Sequence, residues 1–182
     1  MAKLISKTYG DALFDLCLET NTLDVVEAEI KALNEAFAQN EELYKLLSHP
    51  KITKEEKVTF MEQILKGRAS DQVTGFLVII VDKGRQDEIE HIFDYFLAKV
   101  RDYNKIGVAK VTSAVPLNDE QKDKIKNKLL STTSYVQFEM KYEVDPELIG
   151  GLVIRIGDRV VDSSIRTKLN KLSKQLLNLQ VS

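Results

Sequence analysis

The sequence predicts a mainly α protein, with a six-helix bundle over residues 1–105 and a small α+β domain over residues 106–182. Apolar residues recur every three or four positions through the first hundred residues, the spacing of helices with one buried stripe. After Gly107 the period shortens to two. Val136, Phe138, Met140, Tyr142 and Val144 alternate with Gln137, Glu139, Lys141 and Glu143, as in a strand with one face buried. Three prolines and eight glycines in 182 residues leave room for long uninterrupted helices.

The first helix carries Leu4, Ile5, Tyr9, Ala12, Leu13, Leu16 and Cys17 at helical spacing. Asn21 or Thr22 is placed to cap a second, with Val25, Val26, Ile30, Leu33 and Phe37, which fades near Asn40. A short third, Glu42–Leu47, stops at Ser48-His49-Pro50, because a proline disfavours helix in the residue before it. Thr53-Lys54-Glu55-Glu56 reads as a capping box, opening a fourth helix that buries Val58, Met61, Ile64 and Leu65 and ends at Gly67. Ser70 caps a fifth, which holds the apolar run Phe76–Val81 and finishes at Lys83-Gly84. A sixth runs from Gln86 to Tyr103, with Ile89, Ile92, Phe93, Phe96, Leu97 and Val100 on one side. Connections this short favour a compact antiparallel bundle.

The second part begins with a β-branched strand, Gly107–Val115, closed by Pro116. Asn118 caps a lysine-rich helix that ends near Leu130 and is amphipathic through Ile125 and Leu129. The alternating strand to Val144 follows, then a turn at Pro146 and a glycine pair, Gly150–Gly151. Leu152, Ile154 and Ile156 form the next strand, and the Gly157–Asp158 turn folds Arg159–Val161 back onto it. Asp162 with Ser163 or Ser164 caps a last helix. There Ile165, Leu169, Leu172, Leu176 and Leu179 recur at four, three, four and three residues, a coiled-coil-like seam. Part of that seam is expected to cover the small sheet, and its C-terminal end to dock another helix.

Composition narrows the function classes. A hydrophobic content of 43% with 30% charged residues is that of a soluble globular protein. The longest apolar run falls far short of the ~20 residues a membrane span requires, and the N-terminus lacks the apolar core of a secretion signal. Residues 1–105 hold 14 Lys and Arg against 19 Asp and Glu, and residues 106–182 hold 12 against 9. The asymmetry reads either as two parts with different partners or as chance imbalance of solvated surfaces.

Catalytic chemistry is not written in the chain. His49 and His91 lie far apart, and the single cysteine, Cys17, sits on or beside the first apolar stripe as a small core residue. No metal site follows from these spacings, and no catalytic residue or cofactor is expected. The glycines do not form a phosphate loop, since Gly150–Gly151 precede a strand and Gly157 is followed by an acid. Lysines of Gln121–Lys128 and the basic last helix suggest an RNA-binding accessory protein as the alternative function. They are, however, interleaved with Asp119, Glu120 and Asp123 and lack stacking aromatics. One feature stands out. Val73, Phe76, Leu77 and Ile80 suffice for a core stripe on the fifth helix, leaving Val78, Ile79 and Val81 on other faces, toward the bundle centre or a partner.

The chain resembles the delta subunit of the F-type ATP synthase, the oligomycin-sensitivity-conferring protein family. The likeness spans its length and rests on the YGDALFDL opening, the helical first hundred residues and YEVDPELIGGLVIRIGDRVVDSSIRTKLNKL at Tyr142–Leu172. The resemblance implies a non-catalytic stator subunit, one copy per complex, peripheral to the inner membrane on its cytoplasmic side in a bacterial source. It implies that residues 1–105 grip N-terminal helices of the alpha subunits through the first and fifth helices, here Leu4–Leu18 and Ser70–Lys83. Residues 106–182 would join the b subunits of the peripheral stalk. The candidate contacts are Tyr9, Leu13 and Leu16; Phe76, Val78, Ile79 and Val81; and Leu172, Leu176 and Leu179. Neither nucleic acid nor direct membrane contact is implied.

Overall fold

The computed structural model describes residues 2–40, 46–47, 49 and 51–180, with side chains described from 4 to 175 within those ranges. The chain forms two units, Met1–Arg101 and Asp102–Ser182. Five helices are described in the first: α1 (Ala2–Thr20), α2 (Leu23–Gln39), α3 (Lys54–Leu65), α4 (Asp71–Asp82) and α5 (Ile89–Tyr103), the last entered by a 3-10 turn at Gln86–Glu88. The short helix expected at Glu42–Leu47 lies outside the described residues except for Leu46 and Leu47, both helical. The sequence's fourth, fifth and sixth helices are therefore α3, α4 and α5.

Local chemistry fixes the helix starts. Thr53 accepts from the Glu56 N–H at 3.3 Å while Glu56 accepts from the Thr53 N–H at 2.9 Å, the reciprocal bonds of a capping box. Ser70 caps α4, and Glu29 of α2 in turn accepts from the Ser70 hydroxyl at 2.7 Å, tying two helices together. Thr22 occupies the cap position of α2 without a capping bond. Its hydroxyl donates to Gln72 of α4 at 2.9 Å, so a tertiary partner wins over the local one. The core of this unit combines α1 through Leu13, Phe14 and Cys17, α2 through Val26, Ile30 and Phe37, and the inner faces of α3, α4 and α5. Burial there raises the Cys17 thiol pKa, as expected of a small core residue.

The second unit is a four-stranded mixed sheet in the order β2-β1-β3-β4, built from β1 (Ile106–Ser113), β2 (Gln137–Val144), β3 (Leu152–Ile156) and β4 (Arg159–Asp162). Helix α6 (Asp119–Thr132) connects β1 to its parallel neighbour β2, with Gly107 opposite Phe138 and Ala109 opposite Met140. Strand β3 runs antiparallel on the other side, placing Ala109 opposite Ile156 and Val111 opposite Ile154. Leu129 and Ile125 of α6 pack on this face around Ala109 and Phe138. Asn118 and Gln121 form a second capping box at the start of α6. Gly157, at φ +53°, makes the β3–β4 turn.

Two expectations are corrected here. The face of β2 predicted to be buried is covered at Phe138 and half-covered at Met140, whereas Tyr142 and Val144 stay exposed, with the Lys122 ammonium of α6 5.6 Å from the Tyr142 ring centroid. The last helix, α7 (Ile165–Gln180), packs chiefly on the 3-10 turn Pro146–Leu148 rather than over the sheet. Its seam residues Leu169 and Leu172 are 51% and 55% exposed. The covering role falls to α6, because the parallel β1–β2 connection already lays that helix across the sheet.

Candidate functional site

In the first unit the candidate site lies along α1 and α4. Tyr9 and Phe76 meet edge to face with ring centroids 6.4 Å apart, and both stay half-buried against the core. The Arg85 guanidinium lies 5.8 Å from the Tyr9 ring centroid, adding a cation at the edge of the apolar seam. Leu16, seven residues beyond Tyr9 and so on the same side of α1, is 40% exposed. On α4, Ile79 is 53% exposed and Val78 half-buried.

Two predicted contacts belong to the core instead. Leu13 and Val81 are each 1% exposed. A partner reaches neither without displacing the unit's own helices, so both are withdrawn as surface contacts. Helix α4 buries Val73, Leu77, Ile80 and Val81, a stripe turned toward Val81 and away from the half-buried Phe76 relative to the one the sequence suggests. Ile79, off that stripe, is the clearest outward apolar residue of the helix.

Helix α1 is held by polar chemistry as well. Lys99 of α5 donates to Asp11 at 2.5 Å and stands 4.5 Å from the Phe14 ring centroid, and the Tyr95 hydroxyl donates to the same carboxylate at 3.0 Å. The Lys99 hydrogen bond, seconded by Tyr95, pulls the Asp11 pKa below its ordinary value.

In the second unit the candidate contact is the open face of α7. Leu172 is exposed; the side chains of Leu176 and Leu179 lie outside the described residues. The start of α7 is strongly fixed. Ser164, fully buried, is the cap, accepting from the Thr167 N–H at 3.2 Å. Asp162 accepts from the Ser164 N–H at 2.8 Å and the Thr167 hydroxyl at 2.7 Å; the Ser164 side chain, then its N–H and Thr167, lower its pKa to about 2.

Two of the four α6 lysines that suggested nucleic acid are paired within the helix. Lys122 pairs with Asp119 at 2.9 Å and Lys124 with Glu120 at 2.6 Å, and the helix sets four lysines against three acids, so most of its charge cancels. Among the described residues no cluster of His, Cys, Asp or Glu is arranged to hold a metal, and no helix is long and apolar enough to cross a membrane.

The sequence pattern of the ATP synthase delta (OSCP) subunit matches residues 5–176. The ATP synthase subunit delta of Lachnoclostridium phytofermentans is 66% identical over all of both chains. That of Brevibacillus brevis is 32% identical over 96% of this chain and 99% of its own. A chain of the Toxoplasma gondii mitochondrial ATP synthase hexamer, at 21% identity, shares the fold with a TM-score of 0.72 over 94% of this chain and 97% of that one. With a family match across nearly its whole length and a relative 66% identical over both chains, the chain belongs to the ATP synthase delta (OSCP) subunit family, a component of the peripheral stalk.

Proposed function

We propose that the chain is a non-catalytic tether, linking the alpha/beta catalytic head to the membrane-anchored b subunits so that rotation is coupled to ATP synthesis. Residues 1–105 grip N-terminal helices of the alpha subunits along α1 and α4 through Tyr9, Leu16, Phe76, Val78 and Ile79. Residues 106–182 hold the b subunits through Leu172, Leu176 and Leu179 of α7. One copy serves each complex, and the chain meets the membrane only through its partners, on the cytoplasmic side of the inner membrane in a bacterium.

The observation that carries this reading is the presence of an uncovered apolar helix surface on each unit of a family member: Leu16 and Ile79 on the first, Leu169 and Leu172 on the second. Torque on the head loads both contacts in series, and the weaker one sets the slip rate. Both therefore need slow dissociation, which helix-in-groove burial supplies. Apolar burial contributes about 25 cal/mol per Å², so such a groove supports nanomolar binding when its hot spots are well packed. Calorimetry of the full chain with a peptide from the alpha-subunit N-terminus tests the first contact. Binding at micromolar protein is expected, and its absence would overturn that assignment.

A further inference from the structure

Ile149 is β-branched, yet it holds φ +66° and ψ −38°, a backbone region that such residues rarely enter. Its neighbours are pinned on both sides. Leu148 is buried, the Ile149 N–H donates to the Pro146 carbonyl at 3.0 Å, and the Gly150 carbonyl accepts from the Ile165 N–H at 2.9 Å. A Cβ on Gly150 would stand 2.6 Å from Ile165, and one on Gly151, at φ +77°, would stand 2.5 Å from the Ser163 carbonyl oxygen. The start of α7 thus presses on the glycine pair, and the bend required to enter it falls on residue 149. Glycine would take that bend without strain. The chain instead places there a large aliphatic side chain that is 63% exposed, so burial within its own unit does not explain it. Strain kept at an exposed position points to a contact outside the chain.

We infer that Ile149 is a strained anchor at the head of the α7 seam, continuous with Ile165, Leu169 and Leu172, for an amphipathic helix whose apolar stripe is flanked by acids. The seam residues stand at i, i+4 and i+7, one face of α7. Helix α7 contains no acidic residue; Arg166 is already paired with Glu147 at 3.2 Å, and Lys168, Lys171 and Lys174 remain, so the complement is acidic. This inference rests on the reading that the second unit holds the b subunits, and it adds an anchor outside the helix itself.

The test is calorimetry of the full chain with the cytoplasmic segment of its companion b subunit, beside thermal unfolding of each variant. Ile149→Gly relieves the backbone and removes the side chain; about tenfold weaker binding with an unchanged or raised unfolding temperature is expected. Ile149→Leu, which keeps an aliphatic contact, is expected to bind within about threefold of the parent. Added salt is expected to weaken binding; salt-independent binding would overturn the acidic flank. Equal affinity of parent and Ile149→Gly would overturn the anchor. A lower unfolding temperature for Ile149→Gly would assign the residue to the fold and also overturn it. Failure of the parent chain to bind would instead sink the b-subunit reading, and the anchor with it.

Discussion

Replacing Ile79 separates the partner-facing side of α4 from its core side. Full burial of an isoleucine is worth roughly 1.5–3 kcal/mol, and 53% of Ile79 remains open for a partner to cover. Truncation in Ile79→Ala therefore removes about 1 kcal/mol of binding, near a fivefold loss of affinity. Ile79→Asp also places a carboxylate in a desolvated seam, raising the loss to roughly 2–4 kcal/mol, or about 30- to 1,000-fold. A carboxylate in the last turn of α4 opposes the helix dipole by about 0.3–1 kcal/mol, which is why the alanine is read beside it. The adjacent Val81→Asp puts a charge into the core and is expected to unfold the unit, marking the inward side. Calorimetry against the alpha-subunit N-terminal peptide, with circular dichroism on each variant, reads both quantities. Ile79→Asp binding within twofold of the parent, with helix content intact, would refute the assignment of this face.

Further outcomes follow from single positions. Gly75 lies inside α4 with nothing within 4 Å of an added Cβ, so Gly75→Ala is expected to stabilise the first unit by about 0.5–1 kcal/mol, visible as a higher unfolding temperature. Gly151→Ala combines a positive φ with a clash against the Ser163 backbone, and a lower denaturant midpoint for the second unit, by more than about 1 kcal/mol, is expected. Asp162 has its folded pKa lowered to about 2 against an ordinary 3.8, so its support for the start of α7 is fully present above pH 3.8 and is lost as pH falls through about 2. Carboxyl chemical shifts with a midpoint near 4 would show that the capping bonds to Ser164 and Thr167 do not form.

Much of this architecture is legible in the chain itself. The capping box at Thr53, the Asn118 and Ser70 caps and the Gly157 turn are local devices whose partners lie within a few residues, so spacing reveals them. Periodicity likewise identifies the helices and strands, since each pattern depends only on the rise and twist of its own element. The family resemblance rests on the same linear order and points to the stalk.

Tertiary packing decided what a period cannot encode, namely which flank of an apolar stripe meets a neighbour. Val81 and Ile79 are two residues apart on one helix, yet one is enclosed and the other open, because the axes packed around α4 cover one side only. Leu13 went inward for the same reason. The placement of β1 beside both β2 and β3 is a long-range pairing that no local pattern sets, and it gave the sheet to α6 and left α7 uncovered. Ile149 is the sharpest case: its sequence neighbourhood reads as a turn, but its exposure and strain arise only when α7 closes onto the glycine pair. Sequence determined the elements and their caps through short-range geometry; only packing determined which apolar side chains remain for partners.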